Sequence, residues 1–168
     1  VAAVQFREGV DAAAKALDWL VPRQVLDVKG DWAEQRPNVR PGGWAFQYNN
    51  AHYPDLDDTG MVLMALERIQ GVDADRTRLA KERGLGWFLG MQNQDGGWAS
   101  FDADNNRIYL NNIPFADHGA LLDPSTEDLT GRGLELLGTL GYSLDFEPAD
   151  RALDVIRATQ RHNGPWYG

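Results

Sequence analysis

Apolar residues recur along this chain with the period of an α-helix. Val10, Ala14, Leu17 and Leu20 fall on one face of residues 8–20. Residues 75–91 form a second amphipathic stretch, with Arg and Lys on its outer side. Residues 58–70 differ, since Met61, Leu63, Met64, Ala65, Leu66 and Ile69 are apolar on most sides, the pattern of an inner helix. A fourth helix is expected over 126–140, where Ser125 is followed three places on by an acid in a capping-box pattern. A fifth is expected over 148–161, with Pro148 in its first turn. Long polar stretches at 33–56 and 99–124 separate them, and loops of that length carry function or short elements of their own.

The pattern also repeats. Gln24, Gln92 and Gln160 stand 68 residues apart, and each is followed by a Trp: Trp32, Trp98 and Trp166. Trp19 and Trp87 each lie five residues before the first two glutamines. Each segment reads as a helix end, a Gly- or Pro-bearing turn and then a Trp. Glutamine amides can cap helix ends while the indoles pack over them and tie outer helices together. Repeats of this length stack helix pairs into an open or closed array. The expected fold is therefore all-α: an α/α-barrel, or toroid, of inner and outer helices with long loops at one end. No internal domain boundary is expected within 1–168.

Composition narrows the function. The chain begins at Val1 and ends on "PWYG", which suggests a piece of something longer, yet 43% hydrophobic residues and six Trp suffice for a core. A net charge of −9 argues against a nucleic-acid partner, because phosphate backbones attract Lys and Arg. The lack of cysteine excludes disulfides, a thiol nucleophile and a thiolate zinc site. No apolar run approaches the roughly 20 residues of a membrane-spanning helix, and there is no secretory signal. His52, His118 and His162 are scattered, without metal-ligand spacing.

The chemistry concentrates in "HYPDLDDTGMVLMAL", residues 52–66, where Asp55, Asp57 and Asp58 crowd the start of the inner helix. One aspartate is an ordinary N-cap, and Asp58 is the expected one. Three exceed what capping requires. They repel one another, so at least one should hold its proton more tightly than a free Asp, and burial would add to that. A carboxylic acid protonated near neutral pH is a proton donor. Three other readings compete. A Mg²⁺-binding acidic cluster lacks a second cluster and the basic residues a diphosphate needs. Asp102, Asp104 and Asn106 in "DADNNRIYLNN" echo a calcium loop weakly, without its turn Gly or closing Glu. Asp57 and Asp128 could serve as a glycosidase acid pair on an α/α-barrel.

Several motifs together carry a resemblance. "DLDDT" is similar to the Asp-x-Asp-Asp-Thr motif of class II terpene cyclases, and the Gln–Trp repeats are similar to the QW motifs of triterpene cyclases. With "GDWAEQRPNVRPGGWAFQYNNAHYPDLDDT", "GMQNQDGGWASFDADN", "NNIPFADHGALLDPSTEDLT" and "LGTLGY", the chain resembles the squalene–hopene cyclase family almost end to end. Members are several-fold longer, so the chain would be a central portion of the catalytic barrel and inactive alone. The resemblance implies protonation-initiated cyclisation of squalene to hopene or hopanol, with no metal and no cofactor. Asp57 would be the general acid, and Asp55 and Asp58 would tune it. Asp128 matches a further family acid, and Arg132 stands where a His is common. An Asp128–Arg132 surface pair is the plain alternative. Phe46 and Phe101 match pocket aromatics whose π faces stabilise a carbocation, Phe101 standing where a Tyr is common. Trp44, Tyr48, Trp98 and Phe115 are assigned to the core. The family further implies a monotopic protein on the cytoplasmic side of a bacterial inner membrane, bound through regions outside this chain, and a homodimer. The alternatives are a class II cyclase acting on another linear polyprene, an epoxide-opening sterol cyclase, a glycosidase and a non-enzymatic helical repeat.

Overall fold

A computed structural model of the chain describes residues 2–47, 49–69, 74–107 and 122–166. Its elements in order are α1 (Ala2–Leu20), a 3₁₀ turn (Val21–Arg23), α2 (Trp32–Gln35), β1 (Trp44–Ala45), β2 (Pro54–Asp55), α3 (Leu56–Arg68), α4 (Ala74–Gly90), α5 (Glu127–Thr139) and α6 (Glu147–Thr159). All five expected helices are present and the fold is mainly helical. α1 starts six residues earlier than expected. The long polar stretch before α3 carries its own short elements: α2, and a two-residue antiparallel pairing of Trp44 with Asp55 and Ala45 with Pro54.

The core forms where α3 packs on α4 and α5, and α5 packs on α6. Leu63, Met64 and Leu66 of α3 meet Trp87 and Phe88 of α4 and Leu136 and Leu137 of α5, all buried. Trp32 meets Trp87 edge-on with ring centres 6.0 Å apart. Trp98 lies 5.1 Å from Phe88 and against the backbone of Gly133, where a Cβ would collide with the indole. Each such aromatic stabilises the fold by about 1.5–3 kcal/mol through burial. Met61 departs from the inner-helix expectation, because it is about half exposed, 47%.

The glutamines and tryptophans share one hydrogen-bond pattern, and it corrects the pairing read from the sequence. The Gln24 amide donates to the carbonyls of Gly42 (2.7 Å) and Ala80 (2.9 Å). Gln92 donates likewise to Gly96 and Pro148, both at 2.8 Å, and Gln160 to Gly164 at 3.0 Å. Trp98 Nε1 reaches the Phe88 carbonyl (3.0 Å), and Trp166 Nε1 reaches that of Ile156 (2.7 Å), in each case four residues before the glutamine. The indole that makes this bond ahead of Gln24 is Trp44, to Leu20 at 2.9 Å. Trp32 is therefore not the counterpart of Trp98, and its Nε1 has no hydrogen-bond partner among the described residues. Counting to the next Trp failed because the first turn carries an insertion containing α2. The Gly–Gly–Trp of residues 42–44 and 96–98 was the better signal. Gly96 has φ +102°, and a Cβ there would run into the Arg151 backbone, so this turn requires glycine.

The capping box also needs correction. Thr126 is the N-cap of α5. The Ser125 hydroxyl is drawn into the Gln92–Trp98 turn, accepting from Asn93 Nδ2 (2.6 Å) and donating to Asp95 Oδ1 (2.9 Å). Trp44 and Trp98 are core residues as expected. Tyr48, Phe115 and His118 lie outside the described residues, whereas His52 and His162 are exposed.

Candidate active site

The start of α3 is held from two sides. The buried Thr59 hydroxyl accepts the Trp44 N–H at 2.8 Å, fixing the first turn of the helix to β1. The Leu56 N–H donates to the Ser100 carbonyl at 2.9 Å, fixing it to the loop after Trp98. Between these anchors lie the three carboxylates. Asp55 is 6% exposed and is the N-cap, its Oδ1 accepting the Asp58 N–H at 2.7 Å. Asp58 was the expected cap. It sits instead in the first helical turn with Asp57, because the β1–β2 pairing gives Asp55 the extended backbone a cap needs.

Burial pushes the Asp55 carboxyl up to about 6, with repulsion from Asp58 and Asp57 adding to it and the Asp58 N–H opposing. Asp58 is also raised, by burial first and then by Asp57. The raised proton affinity expected of the cluster thus falls on Asp55 and Asp58.

Asp57 faces α5. Arg132 Nε lies 2.8 Å from Asp57 Oδ1, and Arg132 Nη1 reaches Met61 Sδ at 3.0 Å. Asp57 Oδ1 is buried and accepts no hydrogen bond from the described residues, so the pairing is one of charges. The exposed Asp128 carboxyl is held below the usual carboxylate range, chiefly by the Thr126 hydroxyl, with nearby backbone N–H groups and the Arg132 charge adding. The guanidinium therefore crosses to Asp57 and does not form the i,i+4 ion pair with Asp128.

Phe46 is 67% exposed and borders two cavities. One, of about 240 Å³, also touches Asp58, Met61 and Trp44. The other, of about 320 Å³, is lined by Phe46, Gln47, Asn50, Tyr53 and Phe101. The structure thus brings Phe46 to Asp58 on one side and to Phe101 on the other. Sequence reasoning missed Met61 and Tyr53, whose polar or ordinary helical context gave no distinguishing signal. The calcium echo does not assemble. Arg36 takes the Asp104 carboxylate at 2.6 Å, and Gln94 N–H donates to it at 2.7 Å. Asn105 holds Asp102, and residues 108–112 lie outside the described residues. Among the described residues no group of three or more His, Asp or Glu is placed to hold a metal.

The family model for the squalene–hopene cyclase C-terminal domain matches residues 2–168. The chain belongs to the squalene–hopene cyclase family. It is 55% identical to a probable squalene–hopene cyclase of Sinorhizobium fredii, over 99% of this chain and 26% of that protein. It is 53% identical to the squalene–hopene cyclase of Bradyrhizobium diazoefficiens, over 96% of this chain and 25% of the relative. A third squalene–hopene cyclase, from Zymomonas mobilis, is 48% identical over 96% of this chain and 25% of its own length. The chain spans about a quarter of the length of these relatives. Membership in a cyclase family removes the glycosidase and the non-enzymatic readings. No helix among the described residues is long and apolar enough to cross a membrane.

Proposed function

We propose that a complete cyclase built around this chain protonates squalene at a terminal double bond and closes it to hopene or hopanol. The supporting observation is the crossing of Arg132 from α5 to Asp57, in the carboxylate cluster that opens α3. In this reading Asp57 is the general acid. Its O–H bond breaks, a C–H bond forms at the alkene terminus, and the positive charge appears on the more substituted carbon. The carboxylate left behind lies against a guanidinium that keeps its charge at any working pH. Asp55 and Asp58 resupply and concentrate protons at the cluster, and Asp128 steadies Arg132 from the other side. The cation has no anion to pair with. The faces of Phe46 and Phe101 stabilise it by roughly 0.5–2 kcal/mol each without capturing it. Proton loss then yields the alkene, and capture by water yields the alcohol.

The remaining walls of the pocket come from outside the 168 residues, which accounts for the exposure of Phe46. In the complete enzyme the helices described here take their place in an α/α toroid of inner and outer helices joined by QW repeats. The enzyme is peripheral to a membrane, from which its insoluble substrate is drawn, and pairs as a homodimer. Neither metal nor cofactor enters the reaction. The test is product analysis after incubating the full-length enzyme and its Asp57→Asn variant with squalene. Pentacyclic product from the native enzyme, and none above background from the variant, is expected. Unchanged cyclisation by the variant removes Asp57 from the role of acid. Turnover of another polyprene in place of squalene selects the alternative class II cyclase.

A further inference from the structure

Phe101 stands outside the buried core cluster. It lies in an irregular loop, half-buried, and its ring lines an open cavity. What holds its backbone is a carboxylate. Asp123 Oδ2 accepts the N–H groups of Phe101 (2.6 Å) and Asp102 (2.8 Å), and Asp123 Oδ1 accepts that of Ser100 (3.0 Å). Three consecutive backbone donors thus converge on one side chain, the concave arrangement in which successive amides trap an anion. Asp123 is itself anchored, since its own N–H donates to the Asn105 carbonyl at 2.8 Å. The trapped segment is tied to the acid as well, because the Ser100 carbonyl accepts the Leu56 N–H one residue before Asp57.

We infer that Asp123 is a positioning residue that sets the Phe101 ring relative to the Asp57 cluster, and through it how far the cation travels before the reaction stops. Every link is short and polar: Asp123 to the backbone of 100–102, Ser100 to Leu56, and Leu56 by the chain to Asp57. A ring whose face must track a moving cation loses its effect when it shifts by an ångström, and the Asp123 carboxylate fastens the ring's own N–H and both neighbouring ones. The inference rests on the cyclase reading. It differs from that reading in predicting an effect on product identity rather than on protonation.

An amide at position 123 tests it. Asn offers one acceptor oxygen where Asp offers two, so in either orientation at least one of the three N–H groups faces an NH₂ group. The full-length Asp123→Asn enzyme is expected to raise the fraction of partly cyclised products about tenfold, as expected from misorienting a group at a reacting centre. Its rate of squalene consumption should fall by less than about threefold, because the acid is untouched. Phe101→Ala should shift products in the same direction, and the double variant should add little beyond it, since both act through one ring. Gln24→Leu, which destabilises the fold elsewhere, should keep the native product pattern. If Asp123→Asn does not fold, Asp123→Glu serves, because one added methylene keeps the charge but displaces the oxygens. A native product pattern in the Asp123 variant, or fully additive effects with Phe101→Ala, overturns the inference and leaves Asp123 a structural residue. Failure of the unmodified enzyme to cyclise squalene overturns the underlying reading instead.

Discussion

The starts of α3 and α5 are the same construction put to different ends. In each, a Trp after a Gly–Gly turn bridges to the helix N-cap, Trp44 to Asp55 and Trp98 to Thr126. In each, a fully buried threonine four residues past the cap accepts the N–H of that Trp, Thr59 at 2.8 Å and Thr130 at 3.1 Å. Asp57 and Asp128 then fall at the same place, two residues past the cap. The caps differ, and with them the electrostatics. The threonine cap carries no charge, and its nearby hydroxyl favours the ionised form of Asp128. The aspartate cap is buried, and burial first, with repulsion from Asp58 and Asp57 after it, raises Asp55, while burial and then Asp57 raise Asp58. Where α3 has Met61, α5 has Arg132, and that arginine serves the other helix. One scaffold thus carries carboxyls of raised proton affinity on α3 and one of lowered proton affinity on α5.

The strongest way to break this comparison is to remove one carboxyl from each helix. Asp57→Asn should cost the full-length enzyme about 10³-fold or more in turnover, within the range for losing a general acid. Asp128→Asn should cost only about tenfold, because it acts through Arg132. Equal losses in a squalene-conversion assay would mean that the two positions do equivalent work, against the division proposed.

The cap offers a thermodynamic test. Asp55 binds its proton more tightly folded, near 6, than unfolded, near 3.8. A raised carboxyl favours the native state below its unfolded value, and that advantage is lost as pH rises through about 6. Above this the buried charge costs the fold up to about 3 kcal/mol. Asn keeps the capping oxygen without the charge. Asp55→Asn should therefore raise the unfolding temperature at pH 8, and the gain should vanish near pH 4. A pH-independent change would place the origin outside the titration of Asp55.

The threonines should behave alike where the carboxylates do not. Thr59→Val and Thr130→Val each strand a buried Trp N–H, at an expected cost of about 1–3 kcal/mol in denaturant unfolding. Only Thr59→Val should also slow turnover, because Thr59 fixes the turn that carries Asp57.

Much of this was legible in the residues. Periodicity places five helices, since an amphipathic face is a local property of the chain. The cluster of Asp55, Asp57 and Asp58 stands out because its charge exceeds what a cap needs. Which of the three caps the helix was not legible, because it depends on a strand pairing of only two residues. The direction of Arg132 was open for the same kind of reason: position i+4 to Asp128 is visible in sequence, whereas the face of α3 opposite it is not. Asp123 gave no signal at all. A lone Asp in a polar loop looks the same whether its oxygens meet water or three backbone amides.

The smallest effect separates the tryptophans. Trp44 and Trp98 donate their indole N–H to a helix-end carbonyl, whereas Trp32, equally buried, finds no acceptor among the described residues. Replacing each by Phe removes a similar volume of ring, so the packing loss is common to all three. The difference is the hydrogen bond, worth about 1 kcal/mol net. Trp44→Phe and Trp98→Phe should therefore be less stable than Trp32→Phe by about that amount, measured by denaturant unfolding of the full-length enzyme. Were Trp32→Phe the most damaging, Trp32 would after all be the partner of the Gln24 turn, and the alignment of the two helix starts would move with it.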